Sequence, residues 1–187
     1  MKYKIQSITK YLNDLSAKLP APGGGSAAAL NAAMAASLIS MVINFTLGKP
    51  KYAAFESQLK NILIKSERLR FKLLDLVDLD VEAYQSKDIR KAIDVPLVLS
   101  RLSYQAAKLC PPLIKKGNVN LISDVAVAVV FLESAFVCAC FNLEINLKNF
   151  PDIKLAGKIK KELSRNSKMI KRIRKNTEVG FGKVIRG

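Results

Sequence analysis

The sequence predicts an all-α bundle of long antiparallel helices. Apolar residues recur at every third or fourth place through most of the 187 residues. Strand signals are missing, with no sustained apolar/polar alternation and no Asn-Gly or Asp-Gly hairpin turn. Half of the residues are hydrophobic and a quarter are charged, a globular balance that excludes wholesale disorder. The length suits one domain with an extension rather than two full domains.

The elements follow in order. Ile5, Ile8, Leu12, Leu15 and Leu19 recur at helical spacing, and Ser7 is placed to cap that first helix. Pro20 and Pro22 stop it. Ser26 opens an alanine-rich helix to Thr46, with Gly48 as its C-terminal stop. A long helix is expected from about Lys51 to Gln85. Pro96 marks another start, running to about Lys116, and Gly117-Asn118 breaks the chain. Asn118 or Ser123 can cap the next helix, to about Asn149. After Pro151, the stripe Leu155, Ile159, Leu163, Ile170 and Ile173 marks a last, very basic helix.

Two segments resemble membrane spans. Ala27 to Leu47 is 21 residues without a charge, but alanine is barely hydrophobic and Asn31, Ser37, Ser40, Asn44 and Thr46 interrupt the run. The expectation is a helix buried nearly all round, not a span. Val125 to Phe141 carries Glu133 and follows Asp124, and buried carboxylates there need partners.

Charge and composition narrow the chemistry. The chain has 31 Lys+Arg against 15 Asp+Glu, a net charge of +16, and no His. Without His, no His-ligated metal site, Ser-His pair or Cys-His pair can be built from this chain, and no metal centre is expected. Proton transfer falls to Asp, Glu, Lys, Tyr, Cys or water. Residues 154–187 hold 12 basic against 2 acidic residues, so much of the excess is C-terminal. It implies an anionic partner, with nucleic acid among the candidates. Cys110, Cys138 and Cys140 form no CxxC motif and suit a reducing, cytoplasmic setting.

The segment Pro20-Ala21-Pro22-Gly23-Gly24-Gly25-Ser26 feeds directly into a helix N-terminus. Its glycines permit positive φ and let a ligand lie against backbone, where free N–H groups favour an anion. It is neither a P-loop nor a dinucleotide fingerprint. Asp75, Asp78 and Glu82 share one helix face, whereas Asp80 lies on a stripe with Leu76 and Ala83. A carboxylate on an apolar stripe is a candidate for a raised pKa and proton transfer, and Asp124 has the same status. Lys49, Lys51 and Tyr52 follow the alanine-rich helix.

Several pieces together resemble the formiminotransferase-cyclodeaminase C-terminal domain family. They are the Pro20 to Ser26 turn, Met41-Val42-x-Asn44-x-Thr46-x-Gly48-Lys49-x-x-Tyr52, Asp78-x-Asp80-x-x-Ala83-Tyr84, Val95-Pro96-Leu97, Gly117-Asn118 with Ser123-Asp124, and Asn142-x-x-Ile145-Asn146. The resemblance covers about residues 5 to 150. It implies a helical domain over residues 1–150; residues 151–187 are expected, from their apolar stripe, to form a basic helix packed on it with a short tail, and its charge is unusual for the family. The resemblance implies a homodimer with the site at the dimer groove. It also implies action on tetrahydrofolate carrying a one-carbon unit: ammonia release from the 5-formimidoyl form (a lyase), or hydrolytic opening of 5,10-methenyltetrahydrofolate. The folate, polyglutamylated or not, is then a substrate, and no prosthetic group is expected. By the same resemblance Asp80 and Asp124 are the catalytic candidates. Pro22, Gly23, Gly24, Gly25, Ser26, Lys49, Tyr52 and Asn118 are the substrate-binding candidates. Ten residues separate Tyr84 from Val95, where the family usually carries a longer segment with a substrate-side loop. That departure bears on substrate choice and activity more than on fold, and the alternative reading is a catalytically inactive relative that acts as a basic nucleic-acid or anion-binding module.

Overall fold

An uncharged, alanine-rich helix packs closely against two neighbouring helices, because alanine lets their backbones approach. This computed structural model describes residues 2–148 and 150–186. The helices are α1 (Ile8–Ser16), α2 (Gly24–Asn44), α3 (Glu56–Ser86), α4 (Ile89–Ala107), α5 (Cys110–Lys116), α6 (Ile122–Leu147) and α7 (Ile153–Arg186). Short 3-10 turns occupy Tyr3–Ile5, Pro50–Phe55 and Val119–Leu121, and no strand occurs among the described residues.

In α2, Ala32, Ala35, Ala36, Ile39, Val42 and Ile43 are fully buried. Two hydroxyls stitch it to α3: Ser66 Oγ donates to the Ala36 carbonyl at 2.8 Å and Ser40 Oγ donates to Ser66 Oγ at 3.0 Å. Helices α2, α3, α4 and α6 pack as a square, with α2 against α3, α3 against α4, α4 against α6 and α6 against α2. Neighbours run antiparallel. Ser26 meets Val77 while Ser40 meets Ser66, and Asn31 Nδ2 donates to the Phe131 carbonyl at 3.0 Å. Phe136, Leu132, Leu143, Leu73, Leu59, Ile93 and Leu99 fill the interior. Helix α7 lies along α6 and also meets α4 and α5.

Most elements agree with the periodicity, and the differences have local causes. Ser7 caps α1, accepting from the Lys10 N–H at 3.1 Å. The buried side of α1, however, is Tyr11 and Asp14, and the stripe Ile5, Ile8, Leu12 and Leu19 faces outward. Tyr11 packs edge-on against Tyr3, whose hydroxyl donates to Asp14 at 2.9 Å, so an aromatic pair with a polar anchor outcompetes the aliphatic stripe. The helix expected to run to Thr46 ends at Asn44, and Gly48, its expected stop, takes the positive φ of 76° that the following turn needs. Residues 50–55 form a 3-10 turn, so α3 begins at Glu56 rather than Lys51.

Pro96 does not start a helix. It lies inside α4, which begins at Ile89 behind the Asp88 cap. The segment expected to reach Lys116 divides at Leu109 into α4 and α5. Asn118 caps the Val119–Leu121 turn rather than α6. Asn149, where that helix was expected to end, lies outside the described residues.

Two helical stretches, Gly24–Asn44 and Val119–Leu147, are long and apolar enough to cross a membrane by length and composition. They pack against each other and supply the core. Each also leaves apolar residues open to solvent: Met34 on α2 with Phe45 just past its end, and Val127, Phe141 and Ile145 on α6. The sequence expectation of a helix buried all round is therefore only partly met.

Glu133 finds the partner that burial requires. Arg174 on α7 reaches its carboxylate at 2.7 Å and also holds Glu178 at 2.8 Å. The Glu133 side chain is only 11% exposed. Arg174→Ala is expected to cost about 1–3 kcal/mol by leaving a buried carboxylate unpaired. Adding Glu133→Leu should recover most of that loss in urea unfolding.

Candidate active site

One end of the helical square is hollow. The N-terminus of α2, the C-terminal turns of α3, the start of α4 and the end of α6 converge there without closing. The cavity, about 280 Å³, is lined by Pro20, Ala21 and Gly23–Gly25, by Asp80, Ala83 and Tyr84, by Ala92, Val95 and Pro96, and by Asn142 and Asn146. Most of the motifs singled out in the sequence meet at this one place.

Asp80 is the only ionisable carboxylate in the lining. Its stripe mates Leu76 and Ala83 are buried, which carries its side chain inward toward α2. There Oδ2 accepts from the Ser26 backbone N–H at 2.9 Å. That amide is one of the unpaired donors of the first turn of α2. Burial pushes the Asp80 carboxyl above the usual carboxylate range, and the Ser26 N–H offsets part of that rise. The approach is possible because residue 25 is glycine. A Cβ there would lie 2.1 Å from Asp80 Oδ1 and 2.7 Å from its Cγ. A Cβ on Gly23 or Gly24 would meet nothing within 4 Å, so their backbone faces the open cavity. Neither residue uses positive φ, contrary to the sequence expectation. Gly24 and Gly25 are the first residues of the helix itself.

A buried chain of hydroxyls backs this turn. Ser26 Oγ donates to the Val77 carbonyl at 3.0 Å and lies 3.1 Å from the Tyr11 hydroxyl. Burial raises the Tyr11 pKa, so the phenol stays a neutral donor. Asp78, one helical turn from the Asp75 position, faces elsewhere. It accepts from the Tyr3 N–H at 2.6 Å and pins the N-terminal turn. Pro22 is buried behind the loop and follows a cis peptide bond.

Asn142 and Asn146 belong to a quoted motif but were not among the predicted site residues. A proline supplies the reason Asn146 is here. Pro96 has no N–H to give the Ala92 carbonyl four residues earlier, and Asn146 Nδ2 takes that carbonyl at 2.6 Å. A mid-helix proline four residues beyond an exposed carbonyl was the available signal, hidden once Pro96 was taken as a helix start. Asn142 lies one turn earlier on the same face and presents its amide to the cavity.

The remaining predicted residues lie at the opposite end. Helix α2 spans 21 residues, about 30 Å. At its far end Thr46 Oγ1 accepts from the Asn118 N–H at 2.9 Å, and the Tyr52 hydroxyl accepts from the Val119 N–H at 3.0 Å. Tyr52 and Asn118 thus hold the α5–α6 turn against the end of α2. Lys49 is exposed beside them. Asp124 is half-buried on the first turn of α6, 18 residues and about 27 Å before Asn142. Within one chain, Asp80 and Asp124 are not brought together. The cysteines take no part in the cavity, and burial pushes the Cys140 thiol up to about 11. No group of metal-ligating side chains occurs among the described residues.

The chain has clear relatives. A profile of the family described as formiminotransferase-cyclodeaminase matches residues 7–87 and 85–165, two stretches that meet at the α3–α4 turn. The chain is 35% identical over 181 residues to a methenyltetrahydrofolate cyclohydrolase of Methylorubrum extorquens, covering 84% of this chain and 87% of that protein. It is 30% identical over 169 residues to a formimidoyltransferase-cyclodeaminase of Rattus norvegicus, covering 78% of this chain and 31% of the longer protein. The crystal structure of formiminotetrahydrofolate cyclodeaminase from Thermotoga maritima aligns with a TM-score of 0.92 and 27% identity, over 97% of this chain and 98% of the other.

Two glycine substitutions separate the roles of the loop. Gly25→Ala should lose about 1–3 kcal/mol as Asp80 is forced aside. Gly24→Ala, one residue away with open space at its Cβ, should melt at or slightly above the wild-type temperature.

Proposed function

This chain belongs to the formiminotransferase-cyclodeaminase family, and from that premise we propose how it acts. It is a folate one-carbon enzyme of the cyclohydrolase or cyclodeaminase type. The reading we favour is hydrolytic opening of 5,10-methenyltetrahydrofolate to the 10-formyl form. The observation that carries it is the Asp80 carboxylate, half-buried in the cavity and held against the first turn of α2.

The chemistry fits that group. The methenyl carbon lies between N5 and N10 in a cationic amidinium. A water attacking that carbon must lose a proton as the C–O bond forms, and the C–N5 bond then opens. Asp80 accepts the proton, and its negative charge stabilises the cation before attack. Burial makes it a stronger base than an exposed carboxylate. The open backbone of Gly23 and Gly24 lets a flat ring approach the helix end, and the Asn142 amide can pair with a heterocycle edge. Cyclodeamination is the second reading, supported by the Thermotoga maritima likeness. There Asp80 in its acid form would protonate the departing amine as N10 closes the ring.

The cavity is near the lower end of ligand-site volumes, about 300 Å³, and suits the bicyclic head rather than a whole folate. We assign the rest of the site to a second copy. The apolar outer face of α2 and α6 suits a two-fold partner, and a two-fold axis across those helices runs them antiparallel. The far end of the partner, with its Lys49, Tyr52, Asn118 and Asp124, then lies beside the glycine turn.

Purified protein is expected to speed the loss of the near-ultraviolet absorbance of 5,10-methenyltetrahydrofolate, and Asp80→Asn should lower turnover by about 10²–10⁴-fold. Asp124→Asn should also be impaired. Mixing and re-pairing the two variants should restore about a quarter of wild-type activity, since half the dimers then hold one intact composite site. No recovery would place both carboxylates' roles within one chain. Formation of methenyl absorbance from the 5-formimidoyl substrate, without loss of added methenyl compound, would select cyclodeamination.

A further inference from the structure

The outer seam of α3 and α4 carries a groove whose cations have no offsetting carboxylate. Lys65, Arg68, Leu69 and Lys72 line it from α3, with Gln105, Lys108 and Leu109 opposite, around a volume of about 560 Å³. It shares no residue with the cavity at Asp80. Lys72 is eight residues before Asp80, about 12 Å along the helix axis. In the helical square, the α3–α4 edge is opposite the α2–α6 edge, so the groove stays open if a second copy covers the apolar face.

Other cations on α3 are neutralised within a helical turn. Lys60 pairs with Glu56 at 2.7 Å and Arg70 with Glu67 at 2.6 Å. Lys65, Arg68 and Lys72 belong to none of the ion pairs among the described residues, nor does Lys108. Their spacing of i, i+3 and i+7 sets them in one row about 10 Å long. Lys108 lies over the Tyr104 ring at 4.7 Å, which holds its charge at the groove edge. Leu69 at the floor is buried and Leu109 is half-buried, so neither apolar residue of the lining is exposed as a membrane contact would require. A concave row of positive charge without an aromatic platform matches a strand of phosphates, contacted through its backbone rather than its bases.

We propose that this groove binds the phosphodiester backbone of single-stranded nucleic acid, without sequence preference. The test is fluorescence anisotropy of a labelled RNA of about 16 nucleotides, titrated with the full chain between about 50 and 200 mM salt. The variant is Lys65→Gln, Arg68→Gln, Lys72→Gln. The control is Lys168→Gln, Lys171→Gln, Lys175→Gln, which removes the same charge from exposed positions on α7. Both should melt near the wild-type temperature by circular dichroism.

The wild type and the α7 control should bind alike. The groove variant should lose roughly tenfold or more in affinity, with its log–log salt slope shallower by about 2 for three lost phosphate contacts. Equal losses in both variants would overturn the proposal in favour of whole-molecule charge. Absence of binding by the wild type would also overturn it. So would groove-dependent capture by phosphatidylserine vesicles in place of RNA, which would make the surface a membrane contact.

Discussion

The approach of Asp80 to the first turn of α2 is the contact on which the rest of the site depends. A carboxylate, a helix N-terminus and a glycine with no Cβ occupy one small volume, and each requires the others. Without glycine at position 25 the carboxylate has no room. Without the carboxylate the Ser26 N–H loses its partner. The hydroxyls of Ser26 and Tyr11 fix the turn from behind, so the geometry is held from α1, α2 and α3 together. Two opposing effects act on Asp80, desolvation raising its pKa and the N–H bond lowering it, and desolvation prevails. That leaves a carboxylate stabilised enough to stay at the cavity wall and basic enough to take a proton.

The architecture separates three surfaces. The cavity lies at one end of the helical square, an apolar face on the α2–α6 edge, and a basic groove on the α3–α4 edge. The long antiparallel helices make this possible, because each carries different residues at its two ends and on its two sides. Pro96 shows how a local defect is put to use. The hydrogen bond it removes from α4 frees the Ala92 carbonyl, Asn146 fills it, and α4 and α6 are thereby tied at the cavity rim.

Much of this was legible in the sequence. The 3.6-residue period located α3 and α7, whose apolar stripes are long, and uncharged apolar runs between Pro and Gly breaks located α2 and α6. The Asp80 stripe with Leu76 and Ala83 identified the one carboxylate that enters the cavity. The glycine turn was correctly read as a place where backbone is open, though the reason for Gly25 is a close approach across 55 residues of chain, which no local pattern contains. The outward stripe of α1 and the position of Pro96 were misread for a related reason. In both, a tertiary contact, Tyr3 on Tyr11 or Asn146 on Ala92, overrides the local preference. Asp124, Lys49, Tyr52 and Asn118 were grouped with Asp80 by resemblance, and one chain holds them at the other end of the bundle. Their separation follows from the length of α2 and α6, which the sequence shows, and from the antiparallel packing of the two, which it does not.

Asp80 as the proton acceptor is the central claim, and its own titration tests it most directly. Carbon-13 labelling of the aspartate carboxyls, assigned with Asp80→Asn, would give the Asp80 midpoint, to be set against the acid limb of kcat/KM for methenyltetrahydrofolate opening. The account predicts one shared midpoint, above the ordinary aspartate value. An Asp80 midpoint at or below that value, or an acid limb that follows another group, would contradict it.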